Sequence, residues 1–292
     1  MKMGKNSINI QRLDDKAKRW IHHSGDSKRV LLLDIDNRKV VVTIYVNTDQ
    51  ENKERFNNNI LMYNRLSEGK IPCPELLAID ESNLVFVAEY VGKEMPSYFK
   101  EATFQESKDK IDQAIRILQQ MAKINSKQCS FIMPERIIRF RDFYKAGKYN
   151  DLPVKTKTVL GKFYDDLREI EQQNRDLLLD YGYGLSAVDF IDFLVDEQGK
   201  VSIIDFDELI EFYDFYYGIG YFFISLERTK NKENLQEYLL KNINLSRPEA
   251  EMRFKLGAIA ALSNQLRISY TNSEVITQRL KEIYQLWENP LR

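Results

Sequence analysis

The stretch Val188 to Asp207, VDFIDFLVDEQGKVSIIDFD, sets carboxylates at both open ends of one expected β-hairpin. The apolar runs FLV and VSII flank DEQGK, a glycine-containing turn signal. Asp192 stands just before the first run and Asp205 just after the second. Hard oxygen ligands so disposed suit a divalent cation, Mg2+ or Mn2+. A solvated pair, or partners for arginines, is an equal alternative for Asp189 and Asp192.

Other residues that could do chemistry carry weaker patterns. The pair His22-His23 lacks a third ligand nearby and reads as surface histidines. HSGDS holds one glycine, so it reads as a turn before it reads as a phosphate-covering loop. Cys73 and Cys129 have no metal-ligand spacing and read as unreactive thiols in a reducing compartment. The basic stretch RIIRFRDFYKAGK, with Arg136, Arg139, Arg141 and Lys145, reads as a solvated helix face or an anion-binding one. FYDFYYGIGYFF reads as core.

The elements that must position these residues follow from pattern. At 292 residues, with 43% apolar and 12% aromatic residues, the chain can bury a full core. The net charge of -1 gives no whole-chain field towards nucleic acid or an anionic membrane. No window approaches the roughly 18 apolar residues of a membrane span. The N-terminal MKMGKNSINIQRLDDK lacks a signal-peptide pattern, so the expected compartment is the cytoplasm.

RVLLLDIDNRKVVVTIYV predicts a hairpin with Asp36 and Asn37 in its turn, and RWIHHSGDSK could hold a shorter strand before it. ENKERFNNNILMYNRLSEG has apolar residues at Phe56, Ile60, Tyr63 and Leu66, a helical spacing that ends at Gly69. ELLAID and NLVFVAEYV predict a second hairpin. Beyond Gly92 long amphipathic segments predict helices, with the opening hairpin between them.

This layout resembles the protein kinase-like fold of aminoglycoside and other small-molecule phosphotransferases. NNILMYNRLSEGKIPCPELLAIDESNLVFVAEYVGKEM is similar to their helix, turn, IP-x-P, strand and acidic-Tyr-x-Gly hinge. FLVDEQGKVSIIDFD looks like their N-x-L-V-D-x-x-G-K-V-x-x-I-D-F-G hairpin, and the matches run from about Val40 to Leu226. The resemblance implies an α+β, two-lobed architecture. A small antiparallel β-sheet lobe with one helix and the hinge spans 1–92, and a larger, mainly helical lobe spans 93–292 and holds the hairpin at 188–207. It also implies ATP with Mg2+ or Mn2+ and a small hydroxyl-bearing substrate.

Carried over residue by residue, the resemblance puts Thr43 where the family has a strand lysine and Asn59 where it has the paired helix glutamate. Glu89 and Val91 fall on the nucleotide-binding hinge. Asp192 falls at the metal-binding asparagine, Asp205 at the metal-binding aspartate, and Asp207 at the following glycine. Ala187 occupies the catalytic-loop aspartate position. An alternative alignment puts Tyr181-Gly182-Tyr183 at His-Gly-Asp, and it too supplies no aspartate there. Asp189, two residues later than Ala187, is then the carboxylate left to act as base. In YDFYYGIGYFF, Asp214 and Tyr217 match D-P-x-Y-D-L-A while Gly218 replaces its second aspartate. Lys39, Lys53 and Glu54 are charged neighbours that could stand in for the missing pair. Two principal readings result. One is a pseudokinase acting through a bound nucleotide or a protein partner. The other is an active phosphotransferase with Asp189 as base and Asp192 and Asp205 on the metal. Adenylylation is a third reading that no residue selects.

Overall fold

The computed structural model describes residues 17–24, 28–35, 38–124, 135–173, 190–206 and 214–289. The chain packs as two units, Met1–Tyr98 with Ile191–Leu209, and Phe99–Phe190 with Ile210–Arg292. The opening hairpin makes its contacts with the first of these.

The first unit is built on a five-stranded antiparallel sheet in the order β1-β2-β3-β5-β4. Its strands are β1 (Ala17–Ser24), β2 (Lys28–Ile35), β3 (Arg38–Tyr45), β4 (Leu76–Asp80) and β5 (Val85–Glu89). Ile35 pairs with Arg38, which sets Leu33 against Val40, Leu31 against Val42 and Val30 against Thr43. Because side chains alternate between faces, Leu31, Leu33, Val40, Val42, Ile44, Val85 and Val87 gather in one apolar cluster. Thr43, Tyr45 and Phe86 belong to the other face.

Helix α1 (Gln50–Glu68) covers that second face. Asp49 caps it by accepting the Asn52 N–H at 2.8 Å, a bond typically worth about 1 kcal/mol of helix stability. Phe56 meets Tyr45 edge-on at 6.1 Å, and Tyr63 meets Phe86 at 5.8 Å. Helix α2 (Met95–Phe99) follows a two-residue strand, β6 (Lys93–Glu94), which pairs with β7 (Phe193–Val195). β7 pairs in turn with β8 (Val201–Ile203), so the expected hairpin is part of a three-stranded sheet.

The second unit is helical: α3 (Phe104–Ile124), α4 (Glu135–Lys145), α5 (Val154–Gln173), α6 (Phe215–Ser225), α7 (Lys232–Asn242), α8 (Pro248–Ile268) and α9 (Ser273–Glu288). Thr103 and Glu106 form a reciprocal capping box at the start of α3: the Thr103 N–H donates to Glu106 at 2.7 Å and the Glu106 N–H to the Thr103 hydroxyl at 3.2 Å. α6 is the aromatic run, and it is core as its composition predicts, with Tyr217, Ile219 and Phe222 at 0% exposure. α8 lies directly against it. A Cβ on Gly220 would stand 2.0 Å from the Phe254 carbonyl oxygen, and one on Gly257 2.0 Å from that of Tyr217. The two backbones touch where a methyl group has no room. In the basic helix α4, Arg136, Arg139 and Arg141 are partly buried rather than fully solvated, and Lys145 is exposed. Among the described residues, no helix is long and apolar enough to cross a membrane.

Candidate functional site

The hairpin β7–β8 is closed by its own aspartate. Asp196 Oδ1 accepts the N–H groups of Gln198 at 2.9 Å and Lys200 at 2.7 Å, and Gly199 takes the left-handed φ of +76° the turn requires. Its register sets Phe193 against Ile203, and the Ile204 N–H donates to the Asp192 carbonyl at 2.8 Å. Asp192 therefore stands opposite Ile204 at the open mouth, with Asp205 the next residue along. The register brings these two sequence-identified aspartates to the same end of the hairpin.

Asp205 has φ +65°, a left-handed conformation that costs a non-glycine residue roughly 1–2 kcal/mol. Two hydrogen bonds among the described residues help hold the segment in place. Asp205 Oδ1 accepts a hydrogen bond from Lys28 Nζ at 2.8 Å, and the Phe206 N–H donates to Asn59 Oδ1 at 3.1 Å. Phe206 is buried, with its ring 5.1 Å from that of Tyr63.

The two sequence positions where the fold resemblance looks for a Lys–Glu pair are buried and neutral. Thr43 is 4% exposed and pairs with Val30 on one side and Phe86 on the other. Asn59 is 2% exposed, and its Nδ2 donates to the Tyr45 hydroxyl at 2.9 Å and to the Arg55 carbonyl at 3.2 Å. Its amide thus ties β3, α1 and the residue after Asp205 together. The nearby charges point elsewhere. Lys39 lies over the Tyr90 ring at 5.8 Å, while Lys53 is exposed and Glu54 accepts from Gln50 on the helix surface.

Lys28 is the residue that motif matching passes over. It opens β2, is 7% exposed, and faces Tyr45 across the strand pair. The signal was present in the sequence: a two-residue connection at Asp36-Asn37 fixes the pairing, and counting back puts Lys28 and Thr43 on one face.

At the hinge, the Glu89 N–H donates to the Glu75 carbonyl at 2.9 Å and its carboxylate lies 3.7 Å from Arg38. The Tyr90 N–H donates to the Lys39 carbonyl at 3.3 Å, and Val91 is partly exposed. Gly92 presses on β7, where a Cβ would stand 2.1 Å from the Val195 carbonyl oxygen. Asp189, Ala187, Asp207 and the Tyr181-Gly182-Tyr183 alternative lie outside the described residues. Among the described residues, no group of three or more His, Cys, Asp and Glu side chains is placed to hold a metal ion.

Solved structures share this fold over nearly the whole chain. The aminoglycoside phosphotransferase APH(4)-Ia aligns with a TM-score of 0.61 at 15% identity, covering 95% of this chain and 96% of that one. The fold is protein kinase-like. The choline kinase LicA of Streptococcus pneumoniae aligns with a TM-score of 0.58 at 15% identity, covering 89% of this chain and 90% of that chain. A Plasmodium vivax ethanolamine kinase aligns at 0.53 and 12% identity, covering 92% of this chain and 81% of that one. A thermostable APH(4)-Ia has been crystallised with ADP and hygromycin B. No family model and no curated protein matches the sequence.

The side chains of Lys28 and Asp205 bring opposite charges together at the hairpin mouth. Lys28 supplies a buried ammonium. Asp205, with 42% of its side chain exposed, is the more open member of that pair, and Asp192 shares its end of the hairpin.

Proposed function

We propose that this protein is a pseudokinase: a kinase-like protein that binds a nucleotide at the hairpin mouth and acts through that binding, or through a protein partner, rather than by transferring phosphate. The observation that carries this reading is the use made of Asn59. Both ends of its amide are spent on hydrogen bonds, buried ones to Tyr45 and Phe206 and a partly buried one to Arg55, so the position works as a clamp on the backbone. A glutamate that orients a lysine towards phosphate cannot make those donations. With Thr43 neutral as well, the charge pair that phosphoryl transfer uses at these positions is gone from both partners together.

ATP, with Mg2+ or Mn2+ on Asp192 and Asp205, is the ligand this reading expects; Glu89 and Val91 would line the adenine end. The cation's contribution would be to neutralise phosphate charge. A thermal-shift titration with ATP, ADP and GTP, with and without each metal, is expected to raise the melting temperature. An assay of ADP release with aminoglycoside, choline and ethanolamine acceptors is expected to give no turnover. Robust phosphorylation of any small hydroxyl compound, abolished by Asp205→Ala, would overturn the proposal.

The second reading is an active phosphotransferase with Asp189 as base and Asp192 with Asp205 on the metal. The position of Lys28 beside Asp205 favours it, because a cation is available although Thr43 is not one. The acceptor assay separates the two.

A further inference from the structure

We infer that Lys28 is the phosphate-binding cation of this protein, supplied from strand β2 in place of the strand β3 position that Thr43 occupies. The inference rests on the nucleotide-binding reading above and names the residue that carries the charge.

Register is the first support. Val30 pairs with Thr43 and Lys28 with Tyr45, so Lys28 and Thr43 share a face as diagonal neighbours. Such neighbours lie about 7–8 Å apart, within the reach of long side chains. An ammonium on a lysine stem can therefore serve the same point in space from either strand.

Direction is the second. The stem of Lys28 runs towards the hairpin and ends 2.8 Å from Asp205 Oδ1. That carboxylate is the one the hairpin motif marks as the cation ligand. Tyr45, opposite Lys28, receives the Asn59 donation at 2.9 Å, and Asn59 holds the Phe206 N–H at 3.1 Å. Lys28, Tyr45, Asn59 and the Asp205-Phe206 backbone thus form a connected ring that fixes where the ammonium sits.

Burial is the third. The Lys28 side chain is 9% exposed and that of Asp205 is 42% exposed. A surface lysine needs no such placement, and a buried ammonium is costly unless anions face it. Asp205 supplies a negative charge to it and is itself the more exposed of the two. Phosphate oxygens are acceptors of the same kind as that carboxylate.

The test is calorimetric titration of the full chain with ATP and with adenosine, once in EDTA and once in MgCl2. Three proteins are compared: the wild type, Lys28→Met, and the double variant Lys28→Met/Thr43→Lys. Loss of a charged hydrogen-bond partner is expected to weaken ATP binding roughly ten- to hundredfold in Lys28→Met. Adenosine binding is expected to be unchanged, and the double variant is expected to recover most of the loss. On the unaltered chain, ATP but not adenosine is expected to protect Lys28 from amine acetylation, read by mass spectrometry; this arm stands even if a variant fails to fold. A folded Lys28→Met that binds ATP like the wild type, an equal loss for adenosine, or acetylation of Lys28 indifferent to ATP overturns the role of Lys28 and leaves nucleotide binding standing. A wild type that binds neither ATP nor adenosine in either medium overturns both.

Discussion

Asn59 Oδ1 accepts the Phe206 N–H at 3.1 Å, so one side chain of α1 holds the backbone of a residue 147 positions further along the chain. The contact fixes the segment that presents Asp205, whose left-handed backbone needs outside support. Stability and site geometry meet at this amide.

Asn59→Ala is expected to destabilise the fold by about 2–3 kcal/mol, because it leaves a backbone donor and a tyrosine hydroxyl without this partner in a buried place. Urea unfolding should show a lower midpoint with an unchanged slope. A midpoint within error of wild type would mean that water replaces the amide at no cost and that Asn59 is not the clamp.

Asp214 caps α6 by accepting the Tyr217 N–H at 2.8 Å and takes Arg253 on its other oxygen at 2.6 Å, with both side chains buried. Burial pushes this carboxyl upward, and the Arg253 guanidinium with the Tyr217 and Tyr216 N–H groups pulls it back. Arg253→Met removes the strongest opposing partner while keeping the volume. Breaking a buried pair in this way is expected to cost about 3–5 kcal/mol near neutrality.

The pH dependence of that variant has a definite sign. A carboxyl whose folded value lies above its unfolded value, ordinarily about 3.9, binds more protons folded than unfolded between the two. Stability conferred by the protonated form is therefore fully present below the unfolded value and lost as pH rises through the folded one. Arg253→Met should recover part of its deficit on acidification towards pH ~4. A deficit that stays constant from neutrality down to that point would sink this account of Asp214.

Cys73 sits between Pro72 and Pro74, and burial pushes its thiol up to about 11, with Lys200 pulling weakly the other way. In a Cys129→Ser background, alkylation at pH ~8 should run roughly two orders of magnitude slower than that of a free thiol. The rate should keep climbing beyond pH ~9, where an ordinary cysteine is already levelling off. Saturation at the ordinary value would show that the thiol is open to solvent.

Much of this was legible in the sequence for physical reasons that differ by element. The Arg29–Val46 hairpin declared itself through two β-branched runs around a short turn, and α1 through its apolar spacing and Gly69 stop. The opening hairpin was readable because Asp196 and Gly199 are turn residues at the required positions. Lys28 was missed because motif comparison asks what stands at Thr43, whereas the face of a sheet is shared by diagonal neighbours on different strands. The register was readable, but nothing local in Lys28 tells that a residue 177 positions away will meet it. The strand β6 was also beyond reach, since two residues carry no periodicity.

The uniformly apolar helix α6 has a consequence outside the folded state. Phe215–Ser225, FYYGIGYFFIS, contains neither a charge nor a proline, and a helix so short is not stable alone in water. Its cover, α8, begins at Pro248 and is made later in synthesis. Until α8 arrives, the emerging chain displays an adhesive aromatic strip with the hallmarks of an aggregation-prone segment. Yield on refolding should therefore fall with protein concentration, and a chain cut before α8 should collect in the insoluble fraction.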